Sequence, residues 1–268
     1  MKHPSVSAHR KVSRIMANCA LIAALMSCAQ ASVIMTEAFD YTPATDGLNG
    51  QNGGTGWGGT WNKGGFDTVA PGLTYPGLIT GGNAASNTGG QTFRHITTTT
   101  PDTGSVFVSF LMNQPGADYA NMGLFRAGNE VMSFGDTYNG GGPSANYSMY
   151  FGGVAGLSGY QGSGANIATG TQFIVLELDL STAGQTGIYL YLNPSTSATT
   201  LDHSSAISSA TATESVTFDE IRLENSNATM DELRIGTTYG DITQVPEAGS
   251  GALALLAGLA VFSRRSRR

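Results

Sequence analysis

Between residues 32 and 244 the apolar side chains recur at every second position, in runs too short for helices, and clusters of Gly, Asn, Ser, Thr and Pro interrupt them. A period of two puts successive side chains on opposite faces of an extended strand. The clearest run is Gln172–Leu180: Ile174, Leu176, Leu178 and Leu180 share one face, and Phe173, Val175, Glu177 and Asp179 the other. The first row predicts a buried sheet face. The second begins apolar and ends acidic, which predicts Glu177 and Asp179 at solvent. The same spacing aligns Val106, Val108, Phe110 and Met112, and it aligns Ile188, Leu190 and Leu192 with Tyr189 and Tyr191 facing the other way. The other runs that read as strands are Val33–Phe39, Thr92–Thr97, Met122–Arg126, Glu130–Phe134, Tyr147–Phe151, Val216–Leu223 and Thr229–Ile235. No long amphipathic helix competes with them. Short strands joined by glycine-rich turns predict an all-β fold, two antiparallel sheets packed as a jelly-roll sandwich. Glycine contributes 37 of the 268 residues without a three-residue period, which excludes a collagen helix.

Charge divides the chain into three parts. Lys2, Arg10, Lys11 and Arg14 lie before residue 15, and Arg264, Arg265, Arg267 and Arg268 lie at the end. Only Lys63, Arg94, Arg126, Arg222 and Arg234 lie between them, against all 19 acidic residues, so five basic groups face nineteen acids and the middle carries a net −14. Such a body repels phosphates, which excludes nucleic acid as a partner. The basic stretch at the start leads into an apolar run, Ile15–Met26, and then into Ala29-Gln30-Ala31. Basic, apolar and small residues in that order predict a secretory signal over residues 1–31, cut after Ala31. Leu25-Met26-Ser27-Cys28 leaves open a lipid anchor at Cys28. Both cysteines, Cys19 and Cys28, fall in this segment. The exported body, residues 32–244, is therefore expected to have no disulfide and no thiolate chemistry.

At the other end, Val245-Pro246-Glu247 precedes an uncharged run from Ala248 to Ser263 and then the arginine cluster. That run is shorter than the ~20 residues of a stable spanning helix, and the arginines after it are expected on the cytoplasmic side of a membrane. A Pro-Glu motif, a short hydrophobic helix and terminal arginines together resemble a PEP-CTERM sorting signal. Ala248 stands where that family usually has a second proline. The resemblance covers residues 245–268. It implies an exosortase-type processing enzyme as partner, transient residence in the membrane, and a final place at the cell surface or in the extracellular matrix of a Gram-negative-type bacterium.

The body carries a second resemblance. Met230-Asp231-Glu232-Leu233-Arg234-Ile235-Gly236 is similar to the closing strand of laminin-G-like, or concanavalin-A-like, jelly rolls. Phe39-Asp40-Tyr41, the glycine-rich Leu48–Trp61 segment and Tyr189–Pro194 fit the same family. Thr237–Ile242 is expected to turn Tyr239 and Ile242 back onto the sheet. Some members are β-glucanases with Glu-x-Asp-x-x-Glu on one strand, two carboxylates flanking the scissile bond. Glu177-Leu178-Asp179 supplies the first half of that pattern, but Thr182 occupies the last carboxylate position. His95 and His203 lack partners at metal-ligand spacing, and the Ser/Thr-rich stretch around His203 reads as a loop. Related jelly rolls often bind Ca²⁺, which leaves calcium open as a cofactor; the available oxygen ligands are Asp40, Asp46, Asp67, Asp102, Asp136 and Asp231. Trp57, Trp61, Tyr75, Tyr138 and Tyr160 sit in glycine-rich segments, where aromatics can stack on sugar rings or cover an open end of a sandwich. Trp57, Trp61, Glu177 and Asp179 are thus the candidate ligand-facing residues. The expected function is that of a non-enzymatic surface or matrix protein that binds polysaccharide or partners or serves structurally. The alternative is a glycan hydrolase on the same fold.

Overall fold

A computed structural model describes residues 33–87, 89–116, 118–137 and 146–243. The expected signal segment (1–31, with Ala29, Ala31 and Cys28), Tyr138, and the sorting tail (Val245, Pro246, Glu247 and Arg264, Arg265, Arg267, Arg268) lie outside these residues, as do both expected terminal helices. The described residues fall within the unit Ser32–Arg268, one of two compact units of the chain. Among them no helix is long and apolar enough to cross a membrane.

The described chain is nearly all-β and builds two antiparallel sheets, consistent with the jelly-roll sandwich expected from the periodicity. In the first sheet, β1 (Val33–Glu37), β2 (Asp67–Val69), β3 (Ala84–Asn87), β5 (Gly104–Asn113), β10 (Thr171–Leu180), β11 (Thr186–Leu192), β12 (Ser208–Ala212) and β14 (Ala228–Gly236) come together. Their order is β12-β11-β10-β5-β14-β3-β2, with β1 also paired to β14. The second sheet uses β4 (Gly90–His95), β6 (Ala120–Arg126), β7 (Asn129–Asp136), β8 (Asn146–Phe151), β9 (Gly159–Asn166) and β13 (Glu220–Asn225), in the order β4-β13-β6-β7-β8-β9. The ten runs read from the sequence all contain strands. Val216–Asp219 precedes β13 and stays outside it. The strands that alternation missed are β2, β3, β9 and β12, whose sequences DTV, AASN, GYQGSGAN and SSATA carry no apolar row.

The core lies between the sheets. Ile174, Leu176, Leu178 and Leu180 enter it from β10, and Val106, Val108, Phe110 and Met112 from β5. Met122, Leu124, Met132, Phe134 and Met149 meet them from the second sheet, and Phe110 touches Phe134 edge-on at a centroid distance of 5.6 Å. Each such side chain contributes roughly 1.5–3 kcal/mol by leaving water, which opposes the entropy lost on ordering a glycine-rich chain.

The outer face of the first sheet is also covered. Phe107, Leu111, Phe173, Val175 and Tyr191 form a second apolar cluster there with Tyr239 and Ile242 of α1 (Tyr239–Thr243). The turn after β14 thus packs back on the sheet as its sequence implies. Leu73, Tyr75 and Leu78 cover the cluster from the segment between β2 and β3. That segment is clipped to β14: Leu73 N–H donates to Asp231 Oδ2 (2.7 Å), Gly81 N–H to Glu232 Oε1 (2.8 Å), and Arg234 to the Ile79 carbonyl. The Asp-Glu-Leu-Arg run that resembled a closing strand is the clip.

Candidate functional site

Two places concentrate chemistry. The first joins β1, β4 and the glycine-rich segment before β2. Arg94, fully buried, pairs with Glu37 at 2.5 Å and donates to the carbonyl of Gly59, to Asn52 Oδ1 and to the carbonyl of Gly53. Glu37 also accepts from Tyr41 OH (2.8 Å) and from the Trp61 indole (3.2 Å). Burial, then the charge of Glu37, pushes the Tyr41 hydroxyl up to about 12. The guanidinium lies 4.4 Å from the Trp57 ring centroid and 5.6 Å from that of Trp61. At Gly56, with φ +81°, a Cβ would stand 2.0 Å from the Ile34 carbonyl oxygen, so only glycine lets the loop approach β1 this closely. The charged centre of this network, Arg94 with Glu37, is buried. Trp61 is 0% exposed and Trp57 half-buried, its indole held by the Thr36 carbonyl. Trp61 therefore does not face a ligand: its ring and N–H are consumed in anchoring the loop.

The second place is a cleft of about 440 Å³ on the outer face of the first sheet. Strand register builds it. Glu177 on β10 is flanked by Phe107 on β5 and Tyr189 on β11, and Asp179 by Ser105 and Gly187. Tyr189 lies back over Gly187, where a Cβ would come within 2.8 Å of its ring. The His203 imidazole is stacked on the Tyr189 ring at 3.8 Å and 13°. His203 opens a short 3-10 turn, His203–Ser205, capped by Asp202, whose Oδ1 accepts from Ser204 N–H at 2.9 Å. That bond holds the Asp202 carboxyl below its usual range. His203 Nε2 stands 3.4 Å from Glu177 Oε2, and Tyr191 OH donates to the same oxygen at 3.1 Å. Burial first, and then the Glu177 charge, drives the Tyr191 hydroxyl far up; burial does the same to Tyr239.

The side chains sort by exposure. Glu177, Phe107 and Tyr239 are buried and Asp179 is half-buried, so they form the floor. The more exposed Thr199, Thr200 and Thr238 form the rim, with Ser105 and Thr237 half-buried between them. One expectation is corrected here. Glu177, expected at solvent, is only 6% exposed because Tyr191 and the His203 turn close over it. His203 is exposed in a loop as expected, and it also stacks on Tyr189 and faces Glu177. The cleft also gathers Tyr239, expected only to pack on the sheet, and Phe107 and five hydroxyl side chains that the sequence reading did not single out. Their one visible signal was the Tyr189-x-Tyr191 alternation opposite an acidic strand end.

The other candidates disperse. Tyr75 packs on Phe173 at 5.5 Å, and the Tyr160 ring lies against Gly162 on β9. His95 stands 3.4 Å from Glu220. Among the calcium candidates, Asp231 accepts from Leu73 and Glu232 N–H, Asp46 from Gly65 N–H, Asp67 from Asp46 N–H, and Asp136 from Gln114. Among the described residues no three carboxylate, imidazole or thiol groups come together in one place.

No family model and no curated protein matches the sequence. Solved structures do. Domain 4 of AbnA, a GH43 extracellular arabinanase from Geobacillus stearothermophilus, solved with arabinotriose, is 15% identical over 80% of this chain and 99% of that one, with a TM-score of 0.46. The CBM2 module of the evolved Dit of Lactobacillus casei BL23 phage J-1 is 13% identical over 78% and 96%, with a TM-score of 0.40. A GH131 β-glucanase catalytic domain from Podospora anserina is 14% identical over 78% and 99%, also at 0.40.

Proposed function

We propose that the chain is an exported, non-enzymatic glycan-binding protein whose ligand seat is the cleft above β5, β10 and β11. One observation carries this reading: a single cleft unites buried carboxylate, buried aromatic surface and a hydroxyl-bearing rim. Sugars offer hydroxyl groups around apolar ring faces, and such mixed walls match them. The charge pattern of the two ends supports delivery: residues 1–31 as export signal, and residues 245–268 as a sorting tail processed by an exosortase-type enzyme at the membrane. The body would then reach the cell surface or the extracellular matrix. A glycan-array screen of the full chain tests the reading. Binding that Glu177→Gln weakens is the expected result; an array without any bound glycan overturns it.

A hydrolase is the second reading, favoured by one observation, that Glu177 and Asp179 line the same cleft. A Glu177→Ala variant decides between the two. On the binding reading the wild type and the variant are equally unable to release reducing sugar from any array glycan that binds; hydrolysis lost in the variant establishes the enzyme.

A further inference from the structure

Resting on the glycan-binding reading, we propose that the cleft selects sugars bearing a free amine, as in a de-N-acetylated glucosamine polymer, over neutral or acidic ones. The first ground is charge. Glu177 and Asp179 bring two carboxylates to the cleft, and no Lys or Arg lines it. The cleft's one potential cation is His203, charged only when protonated and already 3.4 Å from Glu177, so two carboxylates still outnumber it, and no arginine or lysine of the described residues is free to add to it. Arg94 is tied to Glu37, Arg126 to Glu214, Arg222 to Glu130 and Glu224, and Arg234 to Glu232. Lys63 sits over the Phe93 ring at 4.1 Å. A uronate or sulfated sugar therefore meets net negative charge, inside a chain whose middle carries five basic residues against nineteen acids. An ammonium meets the reverse.

The second ground separates a sugar from other cations. Half-buried Leu201 and the edges of the buried Phe107 and Tyr239 give the cleft apolar surface beside the carboxylates, and Ser105, Thr199, Thr200, Thr237 and Thr238 place hydroxyls around it. An ammonium group, a hydroxyl-studded edge and a hydrophobic ring face occur together in an amino sugar. A lysine side chain offers only the first and a flexible stem. Glu177 is also held in place before any ligand arrives, by Tyr191 OH at 3.1 Å and His203 at 3.4 Å. A fixed carboxylate discriminates charge better than one that must be ordered on binding.

The test is calorimetric titration of the full chain at pH 6 with three β-1,4-linked or α-1,4-linked hexamers: glucosamine, N-acetylglucosamine and galacturonate. The expected result is glucosamine binding roughly tenfold or more tighter than its acetylated counterpart, with galacturonate weakest. In the Glu177→Gln, Asp179→Asn double variant that preference disappears. Added salt weakens glucosamine binding to the wild type and leaves N-acetylglucosamine binding unchanged, a readout that needs no variant to fold. Equal or tighter binding of the acetylated or acidic hexamer overturns the amine preference and leaves the glycan-binding reading standing. Silence from all three hexamers and from the glycan array overturns both. Hexalysine binding as tightly as the glucosamine hexamer also overturns the proposal, because charge alone would then account for selection.

Discussion

Arg94 and Glu37 are buried at 0% and 2% exposure, with their charges opposed at 2.5 Å. Removing one member of such a pair strands the other in the interior, which typically costs about 3–5 kcal/mol. Arg94→Met is therefore expected to lower the urea midpoint sharply while Glu37 remains. Adding Glu37→Gln should recover part of the loss. Trp57 and Trp61, the two tryptophans of the chain, flank the guanidinium and report the change by fluorescence. Asp231 makes a different prediction. Burial outweighs the backbone N–H groups of Leu73 and Glu232 and pushes its carboxyl up from 3.8 to about 8. A raised carboxyl favours the fold while it is protonated, so that contribution is whole below about pH 4 and is lost as pH climbs towards 8. Unfolding free energy measured across this range should fall with pH in the wild type and fall less in Asp231→Asn. Of these two sites the sequence showed little. Arg94 and Glu37 are 57 positions apart, and pairing over that distance is decided by which strands meet, which residue type does not encode. The available hint was a lone arginine in step with Thr92 and Ile96 on a strand otherwise reading inward.

Strands were legible where side chains had to choose between two environments. In β10 every second residue is an aliphatic destined for the inter-sheet core, so register and facing follow from the sequence alone. In β9 and β12, Gly, Ser and Ala occupy most positions, both faces look alike, and only the neighbouring strands fix the path. The cleft shows the same limit. Alternation placed Glu177, Asp179 and Tyr189 on one side of the sheet, yet the turn that brings His203 over them lies in a polar stretch with no periodic signal. The β11 strand offers a clean probe. In a strand interior, alanine is favoured over glycine by about 0.5–1 kcal/mol. At Gly187, however, a Cβ would meet the far edge of the Tyr189 ring at 2.8 Å. The ring can swing away at little cost to the fold, but it then leaves His203. Gly187→Ala is expected to keep or slightly raise the unfolding midpoint and to weaken glycan binding several-fold, as calorimetry and thermal melts measured side by side would show.

At the scale of the molecule, the proposed function assigns the body and the two ends different tasks. An acidic body without cysteines must hold together through apolar burial, and the described residues supply that burial on both faces of the first sheet, ending with Tyr239, Ile242 and Thr243 of α1. The two ends differ in sequence from the body: each carries an apolar run beside a cluster of arginine or lysine, the pattern on which the proposed sorting rests. If the ends direct placement and the body binds, the two properties separate under truncation. A chain lacking residues 245–268 is expected to retain the unfolding midpoint and glycan affinity of the full chain, because the outer cluster is already closed by α1. It is also expected to lose retention at the cell surface and appear in the medium. Cell fractionation with immunodetection measures the second effect, and thermal melts with titration measure the first. Unchanged surface retention after truncation would show that the arginine-capped tail is not the sorting device, whereas a lowered midpoint would show that the tail belongs to the folded body.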